Sequence, residues 1–338
     1  MGLFYADYAV IVAGQDVTSR IDARLLSVKV TRASGEAADT CDLKLADPHG
    51  DTVMPGERAP TQVMIDGLLA FDGFISDVTY AFGKGSGSTL DISCSSIDQG
   101  SKVKEPTLKH KDNSSLSDFA SELGSAAGLA VTVAGSITGI SRPYWLSQNE
   151  SFMSWGQRIS KEVGASFKIL GTNAYLVALN EGISPSGQPL TSISAIRGQN
   201  LISGSISPII SRPKFKDVEI SYFDIKKGER VKQKVPTGVS DVDSSLRTVI
   251  GAADEDQAKS KAEAAGKNSD REKGAGSVTI LGDVAAEPEA MVFIGGCRAG
   301  VDGGYRIGTV THNITKSSGF ETELDLKQPQ DGAGTDSR

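Results

Sequence analysis

The chain is poor in the residues that usually do chemistry. It has three histidines and three cysteines in 338 residues. None of the six sits at metal-ligand spacing, because C-x-x-C, H-E-x-x-H and H-x-E are all absent. His49 falls in a turn, His110 in a Lys-rich connector, and His312 between Val310 and Ile314 on an alternating strand face. A satisfied, half-buried ring is expected at His312 rather than a ligand or base. There is no G-x-S-x-G elbow and no phosphate loop ending in Gly-Lys-Ser or Gly-Lys-Thr. Gly83-x-Gly85-x-Gly87 has no helix after it, so it reads as a hairpin tip and not a dinucleotide fingerprint. No catalytic, cofactor-binding or metal-binding residue is assigned, no cofactor is expected, and the chain does not read as an enzyme. A glycosidase needs only two placed carboxylates. Asp77 and Glu150 are the nearest candidates, and Glu150 is better explained as part of the start of the helix that follows it.

Long apolar runs and a basic surplus are missing too. The longest apolar run is about the length of residues 174–179, which is strand-sized and far short of the ~18–20 residues a membrane helix needs. Lys and Arg number 35 against 42 Asp and Glu, a net charge of −7. That balance argues against specific nucleic-acid binding and suits a surface past which DNA could slide. Residues 1–7 lack a basic leader, and Ala6 stands where a myristoylation motif wants Ser or Thr. Cytoplasmic assembly without a membrane anchor is the expectation. Cys41 and Cys94 share the apolar parity of their strands, so core burial is expected for both. Whether Cys41, Cys94 or Cys297 forms a disulfide stays open.

What the chain does have is alternation. Leu26, Val28 and Val30; Cys41, Leu43 and Leu45; Val63 and Ile65; and Leu90, Ile92 and Cys94 each mark a strand with one buried face. Turn-rich separators at 46–51 and 83–88 divide them. After about residue 105 the period changes. Ser115 and Asp118 form an N-cap pair ahead of Leu116, Phe119, Leu123, Ala126 and Ala127, with Gly128 as the stop. A second helix starts near Ser151, carries Phe152, Trp155, Ile159 and Val163, and closes at Gly164. Strands at 167–170 and 175–177 flank a Gly171-Thr172-Asn173 turn. From about residue 200 strands return, with Val218, Ile220 and Tyr222 alternating before a polar turn at Lys226-Lys227-Gly228-Glu229. A mostly polar helix over 254–268 has acids at its start.

The fold expected is α+β, mainly β, in three parts. A first β-domain spans 1–105 and an α/β domain 106–199. A second β-domain spans 200–327 with the helix of 254–268 inserted, and 328–338 is a disordered polar tail. The pattern Val78-Thr79-Tyr80 before Leu90-Asp91-Ile92 returns as Val310-Thr311-His312 before Leu324-Asp325-Leu326, which raises a duplicated barrel. In the second copy apolar parity is odd through Ile307 and even from Val310, as a β-bulge at Gly308-Thr309 would produce.

This closing strand pair, 305–326, begins with Asp302-Gly303-Gly304-Tyr305, passes Val310-Thr311-His312, and ends Phe320-Glu321-Thr322-Glu323-Leu324-Asp325-Leu326. It resembles the end of the late control D, or baseplate hub, family of phage tails, which includes the N-terminal hub half of VgrG proteins. Gln148-Asn149-Glu150-Ser151-Phe152, with Trp155, Arg158-Ile159 and Gly164, is similar to the family's Q-x-N-E-S-D segment, with Phe152 where Asp is usual. The helix from Leu116 to Leu129 and the strand from Val218 to Tyr222 also fit in order. The resemblance covers roughly residues 20–327. It implies two tail-tube-like β-barrels flanking α/β material, and a homotrimer with six barrels in a ring. That ring would join a tail tube to a central spike around a channel for DNA, among other baseplate proteins and a tape measure protein. The implied location is the virion tail. A tail-associated cell-wall hydrolase and a VgrG-like hub of a secretion or injection system are the alternatives.

Overall fold

The computed structural model describes residues 6–85, 87–210, 215–224, 227–236, 242–247, 252–336 and 338. No helix among them is long and apolar enough to cross a membrane.

The first part contains β1 (Tyr8–Val12), β2 (Gln15–Asp16), α1 (Thr18–Ile21), β3 (Leu25–Ala33), β4 (Thr40–Ala46), β5 (Pro60–Ile65), β6 (Leu68–Gly83) and β7 (Gly87–Ser95). These strands lie in the antiparallel order β3-β4-β7-β6-β5-β1-β2. The alternating residues, Val28, Val30, Cys41, Leu43, Leu45, Val63, Ile65, Leu90, Ile92 and Cys94, all enter one core. Leu26, counted in that parity, is instead exposed: a register shift between Leu25 and Ser27 puts Leu25 inside.

The middle part contains β8 (Pro106–Ser115), α2 (Leu116–Ala126), β9 (Ala130–Ala134), β10 (Ser141–Ser151), α3 (Phe152–Val163), β11 (Ala165–Leu170) and β12 (Asn173–Ala178). Ser115 Oγ accepts the Asp118 N–H at 3.1 Å and donates to Asp118 Oδ2 at 2.7 Å, which starts α2 where expected. Ser151 caps α3 in the same way, and Gly164 ends it in the left-handed region at φ +69°. The helices pack on the sheet β11-β12-β9 through Phe119, Phe152, Trp155 and Phe167, with Phe119 edge-on to Trp155 at 5.6 Å. The Lys-rich connector around His110 is in fact a ten-residue strand, β8, paired with β10. Its inward lysines, Lys109 and Lys111, reach Glu122 on α2, so no apolar period advertises it.

The last part contains β13 (Ile193–Ile196), β14 (Leu201–Ser207), β15 (Asp217–Asp224), β16 (Glu229–Pro236), β17 (Ser245–Arg247), α4 (Glu255–Arg271), β18 (Ala275–Leu281), β19 (Met291–Gly295), β20 (Gly303–Thr315) and β21 (Gly319–Gln330). A register shift between Ile307 and Thr309 is the bulge that the parity change requires.

The structure bears on three expectations. No closed barrel forms among the described residues; both β-rich parts share one 13-stranded sheet, joined where β20 pairs with β3. The inserted helix, α4, instead packs on its own three-stranded sheet β16-β15-β17, over Val218, Ile220, Tyr222, Ala258 and Ala262. Its alanines are small enough to lie close to strands, so the core is thin. Lys226 of the expected turn lies outside the described residues. Finally, residues 328–330 continue β21, and the Gly334 N–H donates to Gly300 O at 2.9 Å. Backbone pairing thus holds residues 328–330 and Gly334 without large apolar side chains.

Candidate functional site

The structure does not gather the singled-out residues. His49 is exposed in its turn, and His110 stacks on Tyr144 at 5.8 Å on the open face of the β8–β10 ribbon. His312 is fully buried on β20, not half-buried, with Nδ1 3.1 Å from Thr322 Oγ1. Among the described residues no three or more His, Cys, Asp or Glu side chains are grouped to hold a metal ion. Glu150 is held by both Nε (3.1 Å) and Nη2 (2.5 Å) of Arg158, which ties β10 to α3. Asp77 is exposed on β6 and accepts from Thr79 Oγ1. Cys41 and Cys94 face each other across β4 and β7, and burial pushes both thiols up, Cys94 to about 12.

What the geometry does organise is a repeat. Val78 faces Ile92 and Tyr80 faces Leu90 in the β6–β7 hairpin. Val310 faces Leu324 and His312 faces Thr322 in β20–β21. Each hairpin is bulged just before its valine, between Ile75 and Asp77 and between Ile307 and Thr309. The likeness extends to the neighbouring strands. β4 lies on β7 as β18 lies on β21, and β3 lies on β4 as β14 lies on β18. Even the register shifts correspond, at Leu25/Ser27 and at Leu201/Ser203. On the other side, β5 covers the start of β6 as β19 covers the start of β20. Two five-stranded units thus share one plan, β3-β4-β7-β6-β5 and β14-β18-β21-β20-β19.

The units meet edge to edge. β20 of the second pairs antiparallel with β3 of the first, from Thr309 opposite Ala33 to Thr315 opposite Ser27. That contact buries His312, Ile314, Val28 and Val30. The equivalent edges at the far ends are open. Beyond Ile75, no described strand pairs with the outer edge of β6, and none lies along the outer edge of β14.

A buried polar junction fixes the units relative to one another. Glu289 holds a left-handed backbone at φ +74° and is 7% exposed. Its Oε1 accepts from Arg271 Nη1 at 2.6 Å, and its Oε2 from the Asn180 N–H at 3.1 Å. Its carbonyl accepts from Arg306 Nη1 at 2.6 Å. Arg271 also donates to Ser34 Oγ at 2.8 Å. The Glu289–Arg271 pair thus links α4, the middle part and both β-units. Lys168 bonds Asp39 nearby, a second tie between the first and middle parts. Sequence reading missed these residues, because partners so far apart in the chain leave no spacing pattern.

No family model matches the chain. The probable baseplate hub protein of Escherichia phage 186 is 23% identical over 93% of this chain and 90% of its own length. The corresponding protein of Escherichia phage P2 is 22% identical over 56% of this chain, so the match spans about half of that relative. This chain is similar to phage baseplate hub proteins. Among solved structures, the 43 kDa tail protein of prophage MuSo2 from Shewanella oneidensis superposes with a TM-score of 0.72, covering 95% of this chain and 98% of that one at 15% identity. A component of the E. coli type VI secretion system, described as similar to bacteriophage T4 tail proteins, gives 0.55 over 93% of this chain and 76% of its own, at 9% identity. These likenesses establish a tail-hub fold.

Proposed function

We propose that the chain is a structural baseplate hub of a phage tail, acting through its sheet edges and faces and not through catalysis. The functional units are those expected from sequence, 1–105, 106–199 and 200–327, with the paired β-units as the ring-forming parts. Three copies would set six such units around a channel that passes DNA, with a tail tube protein on one side and a central spike on the other. Assembly would take place in the host cytoplasm, with other baseplate proteins and a tape measure protein as further partners.

The observation that carries this reading is the duplicated five-stranded unit. Two equivalent units per chain are what a trimer needs to match sixfold symmetry. The likeness to hub proteins of phages P2 and 186 supports it, as does a net charge of −7, which disfavours DNA sticking in a channel. Analytical ultracentrifugation of the purified chain with its tube and spike partners is the test. A trimer is expected, and a chain that stays monomeric throughout overturns the reading.

The secretion-system neighbour favours a second reading, a VgrG-like hub. The genes beside this one separate the two, since capsid and tail-completion genes go with a phage. The hydrolase reading has lost its best residue, as Glu150 is tied to Arg158. A zymogram with the purified chain tests it, and clearing abolished by Glu150→Gln would revive it.

A further inference from the structure

The joint between β20 and β3 is a worked example of how two of these units bind, and its counterpart is left open. By the correspondence of bulges and ladders, β6 from Asp77 to Gly83 is the equivalent of β20 from Thr309 to Thr315. Likewise β14 from Ser203 to Ser207 is the equivalent of β3 from Ser27 to Thr31. We infer that the outer edge of β6 in one copy pairs antiparallel with β14 of the next copy, in the register of the internal joint. Ile314 faces Val28 and His312 faces Val30 inside the chain. Between copies, Phe82 then faces Gly204, Tyr80 faces Ile206, and Ala81 faces Ser205.

Three observations support a second copy as the occupant. Neither stretch that pairs in this register carries a deterrent: residues 79–83 and 203–207 contain no charged residue and no proline, and Asp77 and Pro208 mark where the pairing would end. By contrast the edge strand β16 is studded with Glu229, Arg230, Lys232 and Lys234. Second, the β6 edge exposes apolar side chains whose internal equivalents are covered, and the β14 edge leaves Ile206 only half-buried where its equivalent Val30 is fully buried. Phe82 is 79% exposed and Tyr80 40%, whereas Ile314 and His312 are buried. Third, the proposed register sets the exposed Phe82 ring opposite Gly204, the one position of β14 with no side chain, beside the Val278 side chain that lies over it. The contact joins two different surfaces, so it is head-to-tail, and it generates a ring when the rotation between copies closes.

This inference rests on the ring reading above and adds which edges meet and in what register. Its test uses the full chain with Cys297→Ser, leaving only the two buried thiols, and adds Ala81→Cys and Ser205→Cys together. Mild oxidation is expected to give covalent oligomers that stop at the ring, while either substitution alone stays single on a non-reducing gel. Phe82→Asp, at an exposed position, is expected to abolish the oligomer while leaving monomer unfolding unchanged. A trimer in native mass spectrometry without the Ala81–Ser205 link overturns the edge pairing and spares the hub reading. Equal cross-linking from Ala81→Cys with Ile202→Cys overturns the register. No oligomer under any condition sinks both.

Discussion

His312 lies on the shared strand β20, opposite Val30 on β3 and Thr322 on β21, with Phe320 5.9 Å away. Burial, helped by the like charge of Arg32, pushes its ring down to about 4. The unfolded chain takes up a proton nearer 6.5, so the buried neutral ring costs nothing above that value. Stability is then lost as pH falls from about 6.5 towards 4, by up to about 3 kcal/mol in all. Urea midpoints of the wild type and His312→Gln, compared from pH 8 to pH 5, should converge as pH falls. Parallel curves would mean the ring is not held neutral. Cys41 and Cys94 invite a different expectation. Bonds from the Asp47 N–H to Ser88 O and from the Ser96 N–H to Asp39 O, on the same ladder, put the two cysteines at a hydrogen-bonded pair. There Cα atoms stand about 5.5 Å apart, within disulfide range, but the side chains lie farther apart than at a non-hydrogen-bonded pair, and both cysteines are free thiols in the structure. Alkylation after unfolding without reductant should label both residues.

At the scale of elements, the caps were legible because they are local. Ser115 with Asp118, and Ser151 with Gly164, each sit within a few residues of the helix end they define. Ser151→Ala should cost about 1 kcal/mol, read as a lower thermal midpoint. Gly164→Ala should cost more, about 1–2 kcal/mol from the left-handed backbone alone. Its new methyl would also lie 3.2 Å from Ala264 Cα on α4. An unchanged midpoint would show that α3 and α4 are not packed as described. The ribbon β8–β10 was illegible for the opposite reason. Its buried side is carried by Trp145, Ser147 and lysine stems paired with Glu122, so its pattern is not apolar-polar alternation.

For the whole molecule, cohesion rests on the Glu289 junction as well as on the β20–β3 ladder. Glu289 and Arg271 are both nearly excluded from solvent. Removing either alone leaves an unpaired buried charge, at a cost of about 3–5 kcal/mol. Arg271→Ala should split one calorimetric transition into two as the middle part and α4 release from the β-units. A single transition that merely moves lower would show that the ladder alone couples them. The hub fold itself rests on features the chain states locally: alternating strands, two helix starts, a bulge and an echoed hairpin.

The sequence by itself determined the β-rich character, the capped helices and the bulge at Gly308. Each depends on neighbours within a few residues, or on composition. Only the tertiary structure decided that the two β-parts run into one open sheet and that the echo extends to whole five-stranded units. It also decided that two edges have no partner strand among the described residues. Strand pairing over nearly three hundred residues is set by register and by buried contacts such as Glu289 with Arg271, and these leave no local trace.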